Sequence, residues 1–456
     1  MSRIAAFVSA PPLYRPAWLA CGAYAAVITA ALAYAVWPGF MSYDSVFAYQ
    51  EGLYGIQTML WPPLHAYMFT VSQRLGLGAG GVFVLQTFVL FGSAALVIST
   101  LVRSRLVAGL LCLAFAVSFV AVPPQLGVLS AHWRDVPTAA FALLALALWL
   151  QAARLRSPAL LAAAAVSVGL SVALRYNAFA LLAPLIPLML WRPWLTPAPG
   201  GDGAARVVLA SALVVALGTA WASTQWRLPD LLRMPTPASL GGAQQWDVIG
   251  VSACAGRNYL PAEASSGVQL TVAQIRAAYD PRHMQKTLQA RPDLPRLVET
   301  DAGGKIPRIW RSLLVQETGC YVRHRMLVLV EQLGMAKTAP FYPVHGGIDA
   351  NAFGLTLARP GAADALSAYV QRNAGEGHRR PYLLYVGALI AVAAVCASRR
   401  PGGLLLAALL AGVFGYLAPL ILAAPAADAR YIFPSNTVAA LIMVLAPALA
   451  LGRQRS

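Results

Sequence analysis

The chain has 456 residues, of which 59% are hydrophobic and only 11% are charged, and its mean hydropathy is +0.63. A soluble protein of this size needs more charge to cover its surface, so these values exclude that class and predict an integral membrane protein. The net charge of +17 does not predict nucleic-acid binding, because the basic residues stand in scattered pairs between apolar runs, as membrane topology signals do.

Ten apolar stretches have close to the roughly 20 residues that a helix needs to cross a bilayer. They lie at 17–37, 82–101, 106–122, 136–153, 158–173, 178–191, 207–223, 382–398, 402–423 and 435–451. The first lacks a small-residue cleavage site, so we expect a span rather than a signal peptide. The fifth and sixth are short and flank a break. The pattern predicts an all-α polytopic membrane protein with about ten transmembrane helices and no internal repeat.

Arginine residues predict the orientation of these spans. With both termini in the cytoplasm, every inner connection is basic and Asp202 is the only acidic residue there, as the positive-inside rule requires. The arginines concerned are Arg3, Arg15, Arg103, Arg105, Arg154, Arg156, Arg192, Arg206, Arg399, Arg400, Arg453 and Arg455. The outer face then receives 38–81, 123–135, 174–177, 224–381 and 424–434.

The long outer segment, 224–381, holds nearly all the remaining charge and is predicted to be a mainly helical extracytoplasmic domain. It follows an N-terminal transmembrane module (1–223) and precedes a C-terminal module (382–456) with the last three spans. Residues 306–334 have apolar side chains at helical spacing and predict one long amphipathic helix. Cys254 and Cys320 are its only cysteines, and in an oxidising compartment they predict a disulfide, the alternative being two buried thiols.

The first outer loop, 38–81, combines acidic and aromatic residues. Ser42 is placed to cap a helix with Asp44 in its first turn, and Glu51 follows two turns later on the same face. The sequence WPP (61–63) then begins a short helix with His65 in its first turn. In the alternative interpretation Asp44 complements the helix dipole, Glu51 is solvated, and the aromatic residues, Trp61 among them, form an interfacial belt.

Three further outer elements carry ionisable residues at membrane ends. Arg134 and Asp135 stand where the fourth span begins, and their alternative role is a local ion pair. Arg175 and Tyr176 break two apolar runs on the outer side, where an ionisable residue is costly and suggests function. Arg430 and Tyr431 follow Asp428 and precede Pro434, a favourable first-turn residue of the last span, and they could equally anchor that span.

Taken together, these elements predict one outer vestibule with carboxylates and guanidinium groups. Guanidinium groups bind phosphate well, and a carboxylate beside a bound phosphate ester suits glycosyl transfer. The carboxylate accepts the proton of an acceptor hydroxyl while the cations hold the departing phosphate. A lipid tail between the helices would explain why such an enzyme is embedded in the membrane.

Several segments resemble the GT-C superfamily of polytopic glycosyltransferases, in particular its protein-mannosyltransferase and aminoarabinose-transferase-like branch (family 39-like). SYDSVFAYQEGLYG (42–55) with WPPLHAYMF (61–69) resembles the acidic first outer loop of that family. AHWRDVPTAAFALL (131–144) resembles its second acidic motif, LRYNAFALLAPL (174–185) its basic-aromatic break, and ARYIFPSN (429–436) the entry to a late span. Two departures stand out: Asp44 has no acidic neighbour where some relatives have an adjacent acidic pair, and the outer domain precedes the last three spans where several relatives place theirs after the last span.

The resemblance implies an enzyme that takes a sugar from a polyprenyl-phosphate donor on the extracytoplasmic face of the bacterial inner membrane. By the same match Asp44 is the catalytic carboxylate and Asp135 the second catalytic acid. The predicted substrate-binding residues are Glu51, His65, Arg134, Arg175, Tyr176, Arg430 and Tyr431. Some GT-C enzymes use a divalent metal, but no ligand set is recognisable here, so no cofactor is predicted. The expected partners are the donor, membrane lipids and a lipid, glycan or protein acceptor, without nucleic acid.

Two other functional classes remain open at this point. A transporter or flippase for a lipid-linked or anionic substrate would use the same arginines without chemistry, although it should place polar residues near the middle of the bilayer and not on one side. A non-catalytic assembly protein of the cell envelope would tolerate Asp44→Asn.

Overall fold

The computed structural model describes residues 11–55, 62–195, 202–225, 241–288, 295, 297–298, 300 and 302–451. Arg3, Trp61, Arg453 and Arg455, which the topology and interface predictions used, lie outside these residues. The described residues form α-helices and short 3-10 turns, and they contain isolated β-bridges but no β-strand. An all-helical chain is what the hydropathy pattern predicts, since a lone helix satisfies its own backbone hydrogen bonds in lipid.

The helices are numbered here in chain order. They are α1 (Trp18–Val36), α2 (Tyr43–Tyr54), α3 (Leu64–Arg74), α4 (Gly78–Leu101), α5 (Arg105–Ala121), α6 (Pro123–Leu129), α7 (Asp135–Leu155), α8 (Pro158–Leu174), α9 (Ala178–Leu182), α10 (Leu185–Trp191), α11 (Gly203–Gln225), α12 (Gly241–Ala255), α13 (Val272–Ala278), α14 (Met284–Leu288), α15 (Lys305–Gln316), α16 (Thr318–Gln332), α17 (Pro360–Asn373), α18 (Tyr382–Ala397), α19 (Gly403–Ala423) and α20 (Phe433–Leu451).

Each of the ten predicted apolar stretches is helical in the structure. Among the described residues, six helices are long and apolar enough to cross a membrane: α1, α4, α7, the first part of α11, α19, and α20 with the 3-10 turn before it. The bent pair α5 and α6 raises this number to seven, while α8 and α18 are shorter apolar helices. The polytopic all-α class is confirmed, and the count of ten spans stays a prediction.

Prolines shape the two irregular spans. The axes of α5 and α6 differ by 96°, and Val122 at the bend precedes Pro123 and Pro124. Proline disfavours a helical conformation in the residue before it and cannot donate to the preceding turn. The stretch 178–191 is likewise divided, with α10 beginning directly after Pro184. The bend after α5 directs the chain back into the protein, toward the loop that carries Arg134.

The main hydrophobic core surrounds α7. In the most apolar stretch of α7, 83% of the residues are buried, against 22% in the corresponding stretches of α1 and α11. Helices α1 and α11 therefore lie at the periphery. Helix α7 packs mainly against α4 and α8, and its many alanines allow the helix axes to approach closely. Because α7 is held on several sides, its first residue, Asp135, has a fixed position at the outer end of the core.

The outer segment has a hydrophobic core of its own. Helices α12, α13 and α15 contribute buried residues such as Val248, Ile275 and Ile306, and a disulfide joins Cys254 to Cys320. The prediction of one helix over 306–334 is wrong. The chain forms α15 and α16 with a break at Glu317, whose carboxylate accepts a hydrogen bond from the Tyr259 hydroxyl at 2.5 Å.

The last part of the outer segment packs on the transmembrane module. Val344 in the preceding loop and Ala363 and Val370 of α17 belong to the main core, and α17 contacts α1 and α6. The Tyr369 hydroxyl donates to the Val120 carbonyl at 2.9 Å. The outer segment therefore combines a region with its own core and a region fixed to the membrane helices, and the domain limits 1–223, 224–381 and 382–456 stay a prediction.

Candidate active site

The backbone of the first outer loop is held in one position before Asp44. Gly39 has φ +113°, and a Cβ at this residue would lie 2.7 Å from Nε2 of His132, so only glycine fits. Ser42 precedes α2, but its hydroxyl accepts a hydrogen bond from Nε1 of Trp133 at 2.9 Å and does not cap the helix. Asp44 lies in the first turn of α2 as predicted, fixed by the loop after α6.

Residues 40 and 41 lie between two other loops. The amide of Phe40 donates to the Ser130 carbonyl at 2.8 Å, and the His132 amide returns a bond to the Phe40 carbonyl at 2.8 Å. On the other side the Met41 amide donates to Gly347 at 2.9 Å, and the Asp349 amide donates to Met41 at 2.8 Å. The first loop thus joins the second acidic motif to the outer segment.

The guanidinium of Arg430 bridges two carboxylates. Its Nη1 lies 2.7 Å from Oδ2 of Asp44, and its Nε lies 2.9 Å from Oδ2 of Asp428. The rings of Trp133 and Tyr431 lie 5.2 and 5.3 Å from the guanidinium carbon, within the range of cation–π attraction. Asp428 also accepts a hydrogen bond from the Arg430 amide at 3.2 Å, so it fixes both the backbone and the side chain of Arg430.

A second ion pair lies beside the first. Nε of Arg175 is 2.9 Å from Oδ1 of Asp135, and both side chains are largely buried. The Arg175 guanidinium lies 4.8 Å from the centre of the Tyr431 ring, so Tyr431 faces both Arg175 and Arg430. Asp135 therefore pairs across helices with Arg175, whereas the local alternative considered from the sequence was a pair with its neighbour, Arg134.

A small polar cleft opens beside Asp44. Its walls come from α2, α3, the loop after α6 and the turn before α20. The residues that line it are Asp44, Ser45, Ala48, Glu51, Pro62, His65, Ala66, His132, Trp133, Arg134 and Arg430. Five of the predicted site residues, from four separate sequence regions, thus meet in one cleft with two carboxylates and two guanidinium groups.

The pKa values of the two aspartates that share Arg430 are shifted in opposite directions. Burial alone would raise the pKa of Asp44, but the Arg430 guanidinium, with smaller contributions from Arg134 and Arg175, holds it below its usual value. For Asp428 burial prevails and raises the pKa to about 6, and Arg430 offsets only part of this effect. Asp44 is therefore ionised at neutral pH, but as long as it is paired with Arg430 it is a weak base.

His65 lies in the cleft as a neutral side chain. Burial lowers its pKa to about 3, and His132 and Arg134 act in the same direction. Glu51, on the same face of α2 as Asp44, is buried in the structure, which differs from the solvated side chain of the alternative interpretation. Burial of Glu51 follows from the packing of α2 against α3, which its sequence neighbours do not reveal.

An apolar groove adjoins the cleft on the far side of α3. His65 and Ala66 face the cleft, whereas Leu64 and Tyr67 line the groove. Its other walls are α8 and α11, with a volume of about 550 Å³. Gly169 permits these walls to meet, since a Cβ there would lie 2.8 Å from the Ala216 side chain. One short helix therefore separates a charged cleft from an apolar groove.

Not every predicted residue lies in the cleft. Asp135, Arg175 and Tyr431 form the adjacent ion pair and its aromatic neighbour, and Tyr176 is exposed and absent from the cleft lining. Cys254 and Cys320 lie in the outer domain. No described group of three or more His, Cys, Asp or Glu residues could hold a metal ion, and the absence of a cofactor stays a prediction.

Several residues around Arg430 did not enter the predicted site. Asp428 stands two residues before Arg430, a spacing that could have indicated the pair. Trp133 is adjacent to Arg134 in the sequence, and its buried ring could have been anticipated from the interfacial position. Tyr342 and His345 belong to a loop of the outer segment, and no local pattern connects them with Asp44.

A scan against protein-family models and a search of curated proteins each found no match. A search of solved structures matches ArnT from Cupriavidus metallidurans bound to undecaprenyl phosphate, over 92% of this chain and 76% of that chain, with 14% sequence identity and a TM-score of 0.35.

Proposed function

We propose that the chain is an integral membrane glycosyltransferase that moves a sugar from a polyprenyl-phosphate donor to a hydroxyl acceptor. In this proposal the termini lie in the cytoplasm, and the cleft opens on the extracytoplasmic face of the inner membrane. The observation that carries the proposal is the Arg430 guanidinium, held between Asp44 and Asp428 in a charged cleft that only α3 separates from an apolar groove.

The charged groups suit both halves of a glycosyl transfer. The acceptor oxygen forms a bond to the anomeric carbon, the bond from that carbon to the phosphate oxygen breaks, and its electron pair stays on polyprenyl phosphate. The proton of the acceptor hydroxyl passes to Asp44 as general base. Arg430 and Arg134 stabilise the negative charge that develops on the leaving phosphate.

Arg430 also couples donor binding to the basicity of Asp44. In the free protein Arg430 pairs with Asp44 and keeps its pKa low. A phosphate group is a strong competitor for a guanidinium, and a bound phosphate that takes the Nη1 donor leaves Asp44 beside an anion. Loss of the cation and approach of the anion both raise the pKa of Asp44. Asp44 becomes an effective base only when the donor is present.

The apolar groove accounts for the carrier lipid. Its walls from α3, α8 and α11 are mainly aliphatic, and burial of isoprenoid carbons there stabilises the complex by about 25 cal/mol per Å². Since α3 lines both the groove and the cleft, a lipid in the groove has its phosphate directed toward Arg430. This arrangement favours a lipid-linked donor over a free nucleotide sugar.

The test uses the purified full-length protein in nanodiscs with labelled polyprenyl-phosphate monosaccharides. We expect transfer or donor hydrolysis by the wild type and its loss in Asp44→Asn. Asp364→Asn, an exposed change on α17, serves as the matched control and should keep full activity. Donor binding without turnover by any variant would favour the transporter alternative, and no donor binding at all would overturn the proposal.

A further inference from the structure

A chain of three polar side chains lies in the outer segment close to the cleft. The Tyr342 hydroxyl is 2.6 Å from Nδ1 of His345, and Nε2 of His345 is 3.4 Å from Oδ1 of Asp349. Nε2 is the nitrogen that faces the carboxylate, so it carries the proton, and Nδ1 accepts from Tyr342. The Tyr342 hydroxyl therefore donates its hydrogen bond to Nδ1 of His345, and the lone pairs of the phenol oxygen can accept hydrogen bonds from a ligand.

Tyr342 lies beside Trp133, one of the residues that line the cleft. Its ring centre lies 6.0 Å from that of Trp133, and the Arg430 guanidinium lies 5.2 Å from the same Trp133 ring. The segment that carries Asp349 is hydrogen-bonded to Met41, three residues before Asp44. Tyr342 is nevertheless 38% exposed, so a ligand from the aqueous side can reach it.

The backbone at Tyr342 is strained. Its φ is +51°, a left-handed conformation that a bulky aromatic residue rarely adopts. Such strain is concentrated at binding and catalytic sites. Here the left-handed turn directs the Tyr342 side chain toward both His345 and Trp133.

We propose that Tyr342, oriented by His345 and Asp349, binds a hydroxyl of the acceptor adjacent to the one that reacts at Asp44. The inference rests on the proposed glycosyltransferase function and identifies the acceptor as a neutral polyhydroxyl compound such as a sugar. A lone pair on a phenol oxygen accepts a hydrogen bond from a hydroxyl, whereas it repels the phosphate of the donor.

The position of Tyr342 separates the acceptor side from the donor side. The groove for the carrier lipid opens behind α3, on the side of α8 and α11. Tyr342 belongs to the outer segment and approaches the cleft past Trp133. A lipid-linked donor and a soluble or surface-bound acceptor can therefore bind at the same time, because they enter the site from different sides. Burial, together with the charges of Asp349, Asp428 and Asp44, raises the pKa of Tyr342 to about 12, so its hydroxyl stays protonated at neutral pH.

The experiment separates acceptor binding from the reaction of the donor. Full-length Tyr342→Phe in nanodiscs is assayed with the labelled polyprenyl-phosphate sugar that the wild type hydrolyses, using first water and then methyl hexopyranosides as acceptors. We expect donor hydrolysis and the KM for the donor to stay within about twofold, while the KM for the glycoside rises about tenfold, as the loss of one hydrogen bond implies. Tyr14→Phe, before the first span, is the matched control and should change neither constant.

A second variant protects the test against a local rearrangement. Asp349→Asn keeps the size of the side chain but weakens the orientation of His345, and it should raise the acceptor KM by a smaller factor with hydrolysis intact. An unchanged acceptor KM in Tyr342→Phe overturns the subsite, as does equal loss of transfer and hydrolysis. Absence of both reactions in the wild type overturns the glycosyltransferase proposal itself, which distinguishes the two failures.

Discussion

Two acidic clusters in this molecule use the same residue types in opposite ways. In the outer domain, Asp247 pairs with His324 at 2.9 Å and with Arg325 at 2.7 Å, and the three side chains are 1%, 1% and 3% exposed. At the cleft, Asp44 pairs with Arg430 at 2.7 Å, but these side chains are 29% and 16% exposed. The first cluster is sealed, whereas the second remains accessible to a ligand.

The charged groups of the buried cluster make further hydrogen bonds within the protein. Oδ2 of Asp247 also accepts from Nε1 of Trp310 at 2.7 Å, and Nη1 of Arg325 donates to the Ala424 carbonyl at 2.8 Å. The buried cluster thus fastens the outer domain to the loop that leads to Asp428. An ion pair indicates a structural role when its charged groups are buried together, and a functional role when a cleft reaches it.

The largest expected effect comes from Asp44→Asn, which should separate activity from stability. The amide still accepts a hydrogen bond from Arg430, but it cannot take a proton, so turnover should fall by roughly 10²–10⁴-fold with little change in Tm. Initial rates and thermal unfolding of the same nanodisc samples measure both quantities. A parallel loss of Tm would assign Asp44 to the structural class of Asp247.

The opposite result is expected for Asp247→Ala. Removal of the carboxylate leaves the buried Arg325 charge without its partner, which costs about 3–5 kcal/mol. Thermal unfolding monitored by circular dichroism should show a marked drop in Tm, and any residual activity should keep the wild-type KM for the donor. Asp364→Ala is the surface control. An unchanged Tm would contradict the assignment of this cluster to domain attachment.

A smaller effect is expected for Arg430→Lys. Lysine keeps the positive charge but lacks the planar group that contacts Asp44 and Asp428 through separate nitrogens. The KM for the donor should rise roughly 10- to 100-fold, as for a lost charge-assisted hydrogen bond, and Arg372→Lys on the exposed face of α17 should have no effect. If donor affinity is unaffected while turnover collapses, Arg430 positions Asp44 and does not bind the phosphate.

The smallest effect concerns pH. The pKa of Asp428 is raised to about 6 in the folded protein, so the native state binds a proton that the unfolded chain releases near pH 4. The stability due to this group is present below about pH 4 and is lost as the pH rises through 6. The Tm difference between wild type and Asp428→Asn should change across this window and stay constant above it. A flat difference would show that Asp428 is not perturbed.

Much of the candidate site was recognisable from local sequence. The short helices after residues 42 and 63 begin as predicted, with Asp44 and His65 in their first turns, and Pro434 lies in the first turn of α20. Prolines and acidic residues that complement the helix dipole act within one turn of a helix, so a short stretch of sequence contains the information. The pairing of these groups involves partners as distant as Asp44 and Arg430, 386 residues apart, and no window includes both.

The amino-acid sequence by itself determined the membrane class and the positions of the helices, because the transfer of apolar residues into lipid and the propensities of helix ends are additive over neighbouring residues. Only the tertiary structure decided which charges are sealed and which are open, because exposure depends on the packing of separate helices. The break at Glu317, the burial of Glu51 and the approach of Tyr342 to Trp133 belong to this second kind, since each depends on contacts that the fold creates.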